Sequence, residues 1–533
     1  MATLRDDLLR AEAYPTAPEA PIELIETHIS LVFLVNDDVF KVKKPLNLGF
    51  LDFSTLAQRR RACEAEVALN ARLAPDVYVG VVPVARGADG VHRVGGEGRV
   101  VDVAVHMKRL AEETRADAIL ARGELSVEHV EAIARKLALF HGAARCDAET
   151  ARYGSVAAIA RAIDENFVQT SNASADVLDP AERDTIERYQ RAFLRRSADV
   201  IAARAEEGRV RDGHGDLRLE HVYFGHDGAL RIIDCIEFND RFRYADVAAD
   251  VAFLSMDLAH EGHPELGEVF LAAYAREAND YGLYEVVDFY QTYRAFVRGK
   301  VSLFLAQDRD AAARVRARAA MTSRRYFELA TSLAARTPTQ PVVIAVGGLL
   351  ASGKSTVAHA LGVRLAAAVV GSDRTRKHMA RLAPTTPVDE PAWQGAYSLQ
   401  ATDHVYAEVL ARADVVLRSG RSVILDASFR SATQRARARA LAETFGASFV
   451  FIECSASLDI LSERLRARDA ARARSEVVSD GRLDLLDDFV ARWEPVVELA
   501  PDEHVVLDTT EDLAKGLERL DVERRLERAR RAA

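Results

Sequence analysis

Residues 348–355 read Gly-Leu-Leu-Ala-Ser-Gly-Lys-Ser, the spacing G-x-x-x-x-G-K-S, and the β-branched run VVIAV (342–346) comes directly before them. The segment TVAHALGVRLA that follows has helix-forming composition. Run, glycine loop and helix in that order restrict the stretch to a buried strand, a phosphate-cradling loop and a helix that starts at the loop. Glycine lets backbone N–H groups curl around a phosphate, and the helix N-terminus adds partial positive charge. The backbone of Gly348, Leu349, Leu350, Ala351, Ser352 and Gly353, with Thr356 behind it, is therefore expected to hold a nucleotide. Lys354 would reach its β- and γ-phosphates, and Ser355 would offer a hydroxyl to Mg²⁺.

The rest of the C-terminal part fits that start. VVIAV, AAVVG, SVILD, SFVFIE and HVVLD recur with helix-length segments between them, the pattern of a doubly wound parallel α/β sheet. Two carboxylates follow strand ends. Asp373, in Ser-Asp-Arg-Thr-Arg376, is placed to accept a proton from an attacking hydroxyl, with Arg376 to hold the acceptor; the alternative is a plain helix N-cap. Asp426 ends SVILD and can touch the metal through water, or else cap the helix beginning near Ser431. Arg464, Arg468 and Arg472 recur every fourth residue and share one helical face, either as a lid over the triphosphate or as a solvated stripe. The tail LERLDVERRLERARRAA interleaves acids with arginines and reads as a solvated helix rather than a nucleic-acid arm.

Upstream, TSLAARTPTQP (331–341) is polar and proline-containing and marks a boundary. Before it, LVFLV, DVFKVKK, VGVVPVA and VDVAVHM are strand-like, with one helical stretch (56–74) among them and a hairpin signal at Asn36-Asp37-Asp38. From residue 117 the pattern is mostly helical, broken by HVYF and ALRIID around the turn GHDG. The organisation expected is a β-rich lobe (1–112), a helical lobe (113–335), a linker (336–341) and the α/β domain (342–533). The net charge of −10 counts against bulk attraction to nucleic acid or an anionic membrane. Four widely spaced cysteines, with no C-x-x-C pair, read as reduced thiols. With no apolar run approaching a membrane span, a cytoplasmic location is expected.

Two resemblances follow from these motifs. The phosphate loop with its Ser-Asp-x-x-Arg element and arginine helix, over residues 341–500, resembles the small P-loop kinases, in particular the group with polynucleotide 5′-kinase, zeta-toxin-like and gluconate-kinase-like domains. Residues 212–240, DGHGDLRLEHVYFGHDGALRIIDCIEFND, resemble the catalytic and metal-binding loops of protein-kinase-like phosphotransferases, specifically the aminoglycoside phosphotransferase family and its bacterial fusions to a P-loop kinase. That resemblance implies a bilobal kinase-like fold in which Asp216 is the catalytic base, aided by His214, and Asp234 binds Mg²⁺. His221 stands where the family has a metal-binding Asn, and imidazole is a poorer Mg²⁺ ligand than an amide oxygen. It also implies a nucleotide lysine, Lys41 first or else Lys43, paired with Glu66 or Glu64. Thr27 and Ser30, in a loop without glycine, would donate to phosphate. Arg294 and Arg298, four apart, either recognise an acceptor or pair with Asp246 and Asp250.

The function expected is a two-domain ATP- and Mg²⁺-dependent phosphotransferase acting on small hydroxylated acceptors. The alternatives are polynucleotide 5′-hydroxyl kinase activity in the C-terminal domain, or one domain serving as a nucleotide-binding regulator of the other.

Overall fold

The computed structural model describes residues 3–47, 49, 51–337, 340–388, 390–391, 393–471 and 478–520. The chain divides into two compact units, one of residues 1–262 and 289–330, the other of 263–288 and 331–533.

The first unit opens with β1 (Glu23–Glu26), β2 (Ser30–Val35), β3 (Asp38–Lys43), β4 (Tyr78–Arg86), β5 (His92–Val94) and β6 (Arg99–Lys108). They form one antiparallel sheet in the order β1-β2-β3-β6-β4-β5. The expected hairpin is there: Val35 faces Asp38 across a two-residue turn, and Asn36 takes the positive φ that such a turn demands. Strand alternation separates the faces. Phe40, Val42 and Ala104 pack with Phe33 and Tyr14 on one side, while Val103 and Val105 pack on the other with Cys63, beneath the helix Leu56–Asn70. Lys41, paired in register with Val105, belongs to this second side. The helix starts at a Thr55–Gln58 capping box, and its buried stripe is Arg59, Cys63, Glu66 and Asn70. That stripe is mostly polar because its partners are charged.

Further along, β7 (Val210–Asp212), β8 (Val222–Phe224), β9 (Leu230–Ile232) and β10 (Tyr244–Asp246) form two small antiparallel pairs, β7 with β10 and β8 with β9. The β8–β9 turn is closed by Gly225 N–H to Ala229 O. The helix Val247–His260 runs through the core of this lobe, every residue but Ala259 buried.

In the second unit, β11 (Val342–Gly348), β12 (Ala368–Gly371), β13 (Val423–Asp426), β14 (Ser448–Ser455) and β15 (His504–Asp508) pair in parallel in the order β12-β13-β11-β14-β15. All five expected strands are present, and both neighbours of β11 come later in the chain. The order therefore switches direction beside β11, where parallel α/β sheets bind ligands at their carboxyl ends. Val342, Ile344 and Val346 pack with Ile424, Ile452, Val357 and Leu361. Residues 263–288 add a helix, Pro264–Glu277, and a turn, Tyr281–Glu285, to this unit. Arg421 pairs with Glu268 and Asp288 at 2.6 Å each, and the Tyr281 hydroxyl donates to Val369 O at 2.7 Å. No helix among the described residues is long and apolar enough to cross a membrane, and all four cysteines are free thiols.

Candidate active sites

In the first unit, β3 sends Lys41 and Lys43 to the same side of the sheet, and both flank one carboxylate. Lys41 Nζ lies 2.8 Å from Glu66 Oε1 and Lys43 Nζ 2.6 Å from Oε2. Lys43 also meets Glu237 and is sealed from water, whereas Lys41 is 15% exposed and reaches Asp234 Oδ1 at 2.9 Å. Glu64 lies on the exposed side of its helix. Burial opposes the Lys41 ammonium, but Asp234 and Glu66 outweigh it and hold the lysine well above its ordinary range. In return Lys41 holds the Asp234 carboxyl far below the usual carboxylate range. Asp234, two residues past β9, takes a positive φ of 65°.

The loop after β7 carries residues 213–216. Asp250, from the buried helix Val247–His260, accepts from His214 N–H at 2.6 Å and Gly215 N–H at 2.8 Å. The fit is close: a Cβ at position 213 would stand 2.4 Å from Asp250 Oδ2. The His214 ring donates from Nε2 to Ile233 O at 2.9 Å and faces the Asp216 N–H with Nδ1 at 3.3 Å. Burial pushes this imidazole down to about 4, so it is neutral. Asp216 meets Arg218 at 3.2 Å; burial opposes its charge, but Arg218 and His221 keep the carboxyl well below the usual range. His221 Nδ1 lies 2.7 Å from Asp216 O, and its Nε2, 3.6 Å from Asp234 Oδ2, also meets Arg218 Nη2 at 3.3 Å. Lys41, Glu66, Asp216, His221 and Asp234 thus form one connected cluster. Thr27 and Ser30 bond to each other: Ser30 N–H donates to Thr27 Oγ1 at 2.9 Å, and that hydroxyl donates to Ser30 O at 3.2 Å. Arg294 stands 4.0 Å from Asp250, while Asp246 pairs with Arg204.

In the second unit the glycine loop follows β11. Gly348, at φ 137°, donates its N–H to Ser428 O, and a Cβ there would lie 2.4 Å from Cys454 O. Gly353, at φ 86°, caps the helix Lys354–Arg364. Only glycine fits both conformations without strain. Lys354 is half-buried, and loss of solvent lowers its pKa against the pull of Asp426; its ammonium donates to Leu349 O at 2.7 Å. Burial likewise raises Asp426 to about 6, with the Ser355 hydroxyl hydrogen-bonded to it. Neither candidate carboxylate is a helix cap. Gly371 precedes the helix Ser372–Met379, and Ser431 with Gln434 caps Ala432–Thr444.

Lys354, Ser355, Asp373, Arg376, Asp426 and Arg468 line one cavity of about 160 Å³. Arg464 sits behind the loop, bonding Ala351 O at 3.2 Å and Thr509 O at 2.8 Å, so it buttresses the loop rather than facing the cavity. Arg468 reaches Ser479 Oγ at 3.3 Å. Arg472 lies outside the described residues.

Oxygen donors suited to a hard dication are present in both places: the Asp234 carboxylate in the first, with the softer His221 nitrogen beside it, and the Ser355 hydroxyl with the Asp426 carboxylate in the second. Among the described residues no group of three or more His, Cys, Asp or Glu forms a cage. A hexacoordinate ion here would take its remaining ligands from phosphate and water, as Mg²⁺ commonly does.

Several residues of these sites escaped the sequence reading. In the sequence Asp250 stands only as an ion-pair partner of Arg294 or Arg298, although a carboxylate in a buried helix must serve a partner and here holds the 214–215 backbone. Glu237, Arg218, Trp393 and Arg430 carried no signal.

The profile of the phosphotransferase enzyme family matches residues 36–290, and that of an AAA domain matches residues 343–495. Uncharacterized proteins of Mycobacterium tuberculosis and Mycobacterium bovis are 34% identical over 459 residues, covering 86% of this chain and 88% of theirs. Among solved structures, a choline/ethanolamine kinase family protein from Mesorhizobium loti is 17% identical with a TM-score of 0.35, covering 62% of this chain and 99% of its own. A gluconokinase from Sinorhizobium meliloti is 19% identical with a TM-score of 0.25, covering 36% and 94%. The chain belongs to the same family as these mycobacterial proteins, and it carries a kinase-like domain of the phosphotransferase enzyme family followed by a P-loop kinase-like domain.

Proposed function

We propose that the chain is an ATP-dependent kinase with two separate transfer sites, each moving the γ-phosphoryl group to a hydroxyl of a small molecule. The first site would lie in a bilobal domain of residues 1–335, with lobes at 1–112 and 113–335. The second would lie in residues 342–533, after a linker at 336–341. The observation that carries the reading is that each unit brings a half-buried lysine together with an aspartate: Lys41 with Asp234 at 2.9 Å, and Lys354 with Asp426 on the wall of one cavity. Lysine neutralises phosphate oxygens, and phosphoryl transfer needs positioning and charge stabilisation more than covalent chemistry.

In the first site Asp216 takes the acceptor's proton, His214 and Asp250 fix its backbone, and Lys41 orients the phosphates. Asp234 and His221 would hold Mg²⁺. In the second, the loop of residues 348–356 cradles the phosphates and Asp373 takes the proton. Arg376 holds the acceptor, and Arg468 with Arg472 offsets charge on the moving group. Ser355 and Asp426 would hold the ion there. Mg²⁺ supplies charge neutralisation between the β- and γ-phosphates.

The test is incubation of the full chain with γ-labelled ATP and a metabolite extract, followed by identification of labelled products. Labelled phosphate esters support the reading; release of inorganic phosphate alone, with no labelled ester, overturns it.

A further inference from the structure

The acceptor side of the P-loop cavity holds cationic groups that the protein leaves without an anion. Arg430 lines the cavity and is 92% buried. Its guanidinium lies over the Trp393 ring at 4.1 Å and has no hydrogen-bonded or ion-paired partner among the described residues. Burial disfavours its protonated form and Arg492 adds to that, while Tyr406, Glu494 and Asp403 act against it without pairing with the guanidinium. Arg376 is 93% buried against the Tyr397 ring, bonds Ala396 O through Nη1, and leaves Nε without a partner. The indole Nε1–H of Trp393, also on the cavity wall, is a third buried donor with no acceptor.

Two acids on the same wall, Asp480 and Glu390, are already engaged, while Asp373 and Asp426 are the carboxylates assigned to the transfer itself. Asp480 takes Lys377 at 3.2 Å, the Tyr397 hydroxyl at 2.7 Å and Val388 N–H at 3.1 Å. Glu390 accepts from Ala396 N–H. A buried guanidinium normally has a carboxylate or phosphate beside it, because an unpaired buried charge is costly. Asp373 stands three residues before Arg376 on one short helix, so an anion gripped by Arg376 brings the rest of its molecule past Asp373.

We propose that Arg430, with Arg376 and Trp393, forms an oxyanion subsite, and that the acceptor of the P-loop domain is a small hydroxylated molecule carrying a carboxylate or a phosphate. The proposal rests on the kinase reading only for the word acceptor; the anion site itself stands on the unpartnered donors. Guanidinium forks match the planar carboxylate and the phosphate face alike.

The test uses the full chain with its phosphate loops filled by a non-hydrolysable ATP analogue and Mg²⁺. Inorganic phosphate and acetate are titrated separately against chloride at equal ionic strength. Binding is read from tryptophan fluorescence, to which only Trp393 and Trp493 contribute. A saturable change with phosphate or acetate is expected, and the anion that gives it tells a phosphate-bearing from a carboxylate-bearing acceptor. Arg430→Gln is expected to weaken it roughly tenfold or more, the scale of losing one charge-assisted partner, and Arg430→Lys to restore part of it. Melting curves identify any variant that fails to fold, and Trp393→Phe, followed calorimetrically, removes the indole donor without touching Arg430. No saturable change with either anion, or the same curve in Arg430→Gln, overturns the proposal. Anion binding that depends on Arg430 without any labelled ester would leave the subsite standing and overturn the kinase reading. A labelled neutral polyol whose KM is unchanged in Arg430→Gln would do the reverse.

Discussion

Lys41 and Lys43 are two residues apart, share one carboxylate and differ in what else they touch. Lys43 is closed in by Glu66 and Glu237, and burial raises the Glu237 carboxyl against the pull of Lys43 first and Lys41 second. Removing Lys43 leaves two buried carboxylates with one cation between them, a loss on the scale of about 3–5 kcal/mol for breaking a buried pair. Lys43→Met is therefore expected to lower the melting temperature sharply. Lys41→Met leaves Glu66 paired with Lys43 and is expected to cost less stability but abolish nucleotide binding to the first unit, measured by titration in a chain whose phosphate loop is disabled by Lys354→Ala. Strand alternation placed both lysines on one face, with Lys41 the first choice, but what closes off Lys43, the carboxylate of Glu237 almost 200 residues away, left no mark near the strand. The distinction between cap and cavity for Asp373 and Asp426 was hidden for the same kind of reason. Each sits one strand end from its helix, and only the backbone decides whether Gly371 and Ser431 take the capping role.

Elements were legible where periodicity was strong. The five β-branched runs of the second unit became β11 to β15, and the helical stretch read over 56–74 became the helix Leu56–Asn70. β1 and β5 escaped because ELIE and HRV are short and polar, held by one neighbouring strand each rather than by their own composition. The helix Val247–His260 shows how an apolar element carries a titration. At its end His260 stacks on Tyr326 with ring centroids 3.7 Å apart; burial, with Arg325 and Arg298 nearby, pushes the imidazole down to about 4. The unfolded chain takes up this proton near the ordinary value of about 6.5, and the folded chain refuses it until about 4. The stability this histidine contributes is thus complete above the unfolded value and is lost as pH falls through that window. The melting temperature of the wild type should drop more steeply between pH 6.5 and 4 than that of His260→Phe, which keeps the ring stack and cannot titrate; equal slopes would show that His260 is not the group responsible.

At the scale of the whole molecule, the division of the chain is less simple than its motifs. Helical periodicity shows which face of 264–277 is apolar, but not which core that face joins, so residues 263–288 gave no sign that they pack with 331–533. Arg421, just before β13, supplies the link through Glu268 and Asp288. The carboxylates keep some contact with water, so Arg421→Gln is expected to cost about 1–3 kcal/mol. Hydrogen exchange should speed up in the helix Pro264–Glu277 and in β13 together, with 313–330 unchanged. Faster exchange in β13 alone would mean that the segment does not fold with this unit.

The central claim is that one chain holds two independent transfer sites. It is tested by profiling labelled products from four proteins: wild type, Asp216→Asn, Lys354→Ala and the double variant. Asp216→Asn removes the proton acceptor of the first site and Lys354→Ala the phosphate cation of the second, each expected to cut its own transfer by several hundredfold or more (roughly the effect of losing one preorganised group). Each single variant should lose a different subset of labelled products, and the double variant should lose them all. If either single change alone removes every product, the two sites are not independent, and the account of two kinases in one chain is wrong.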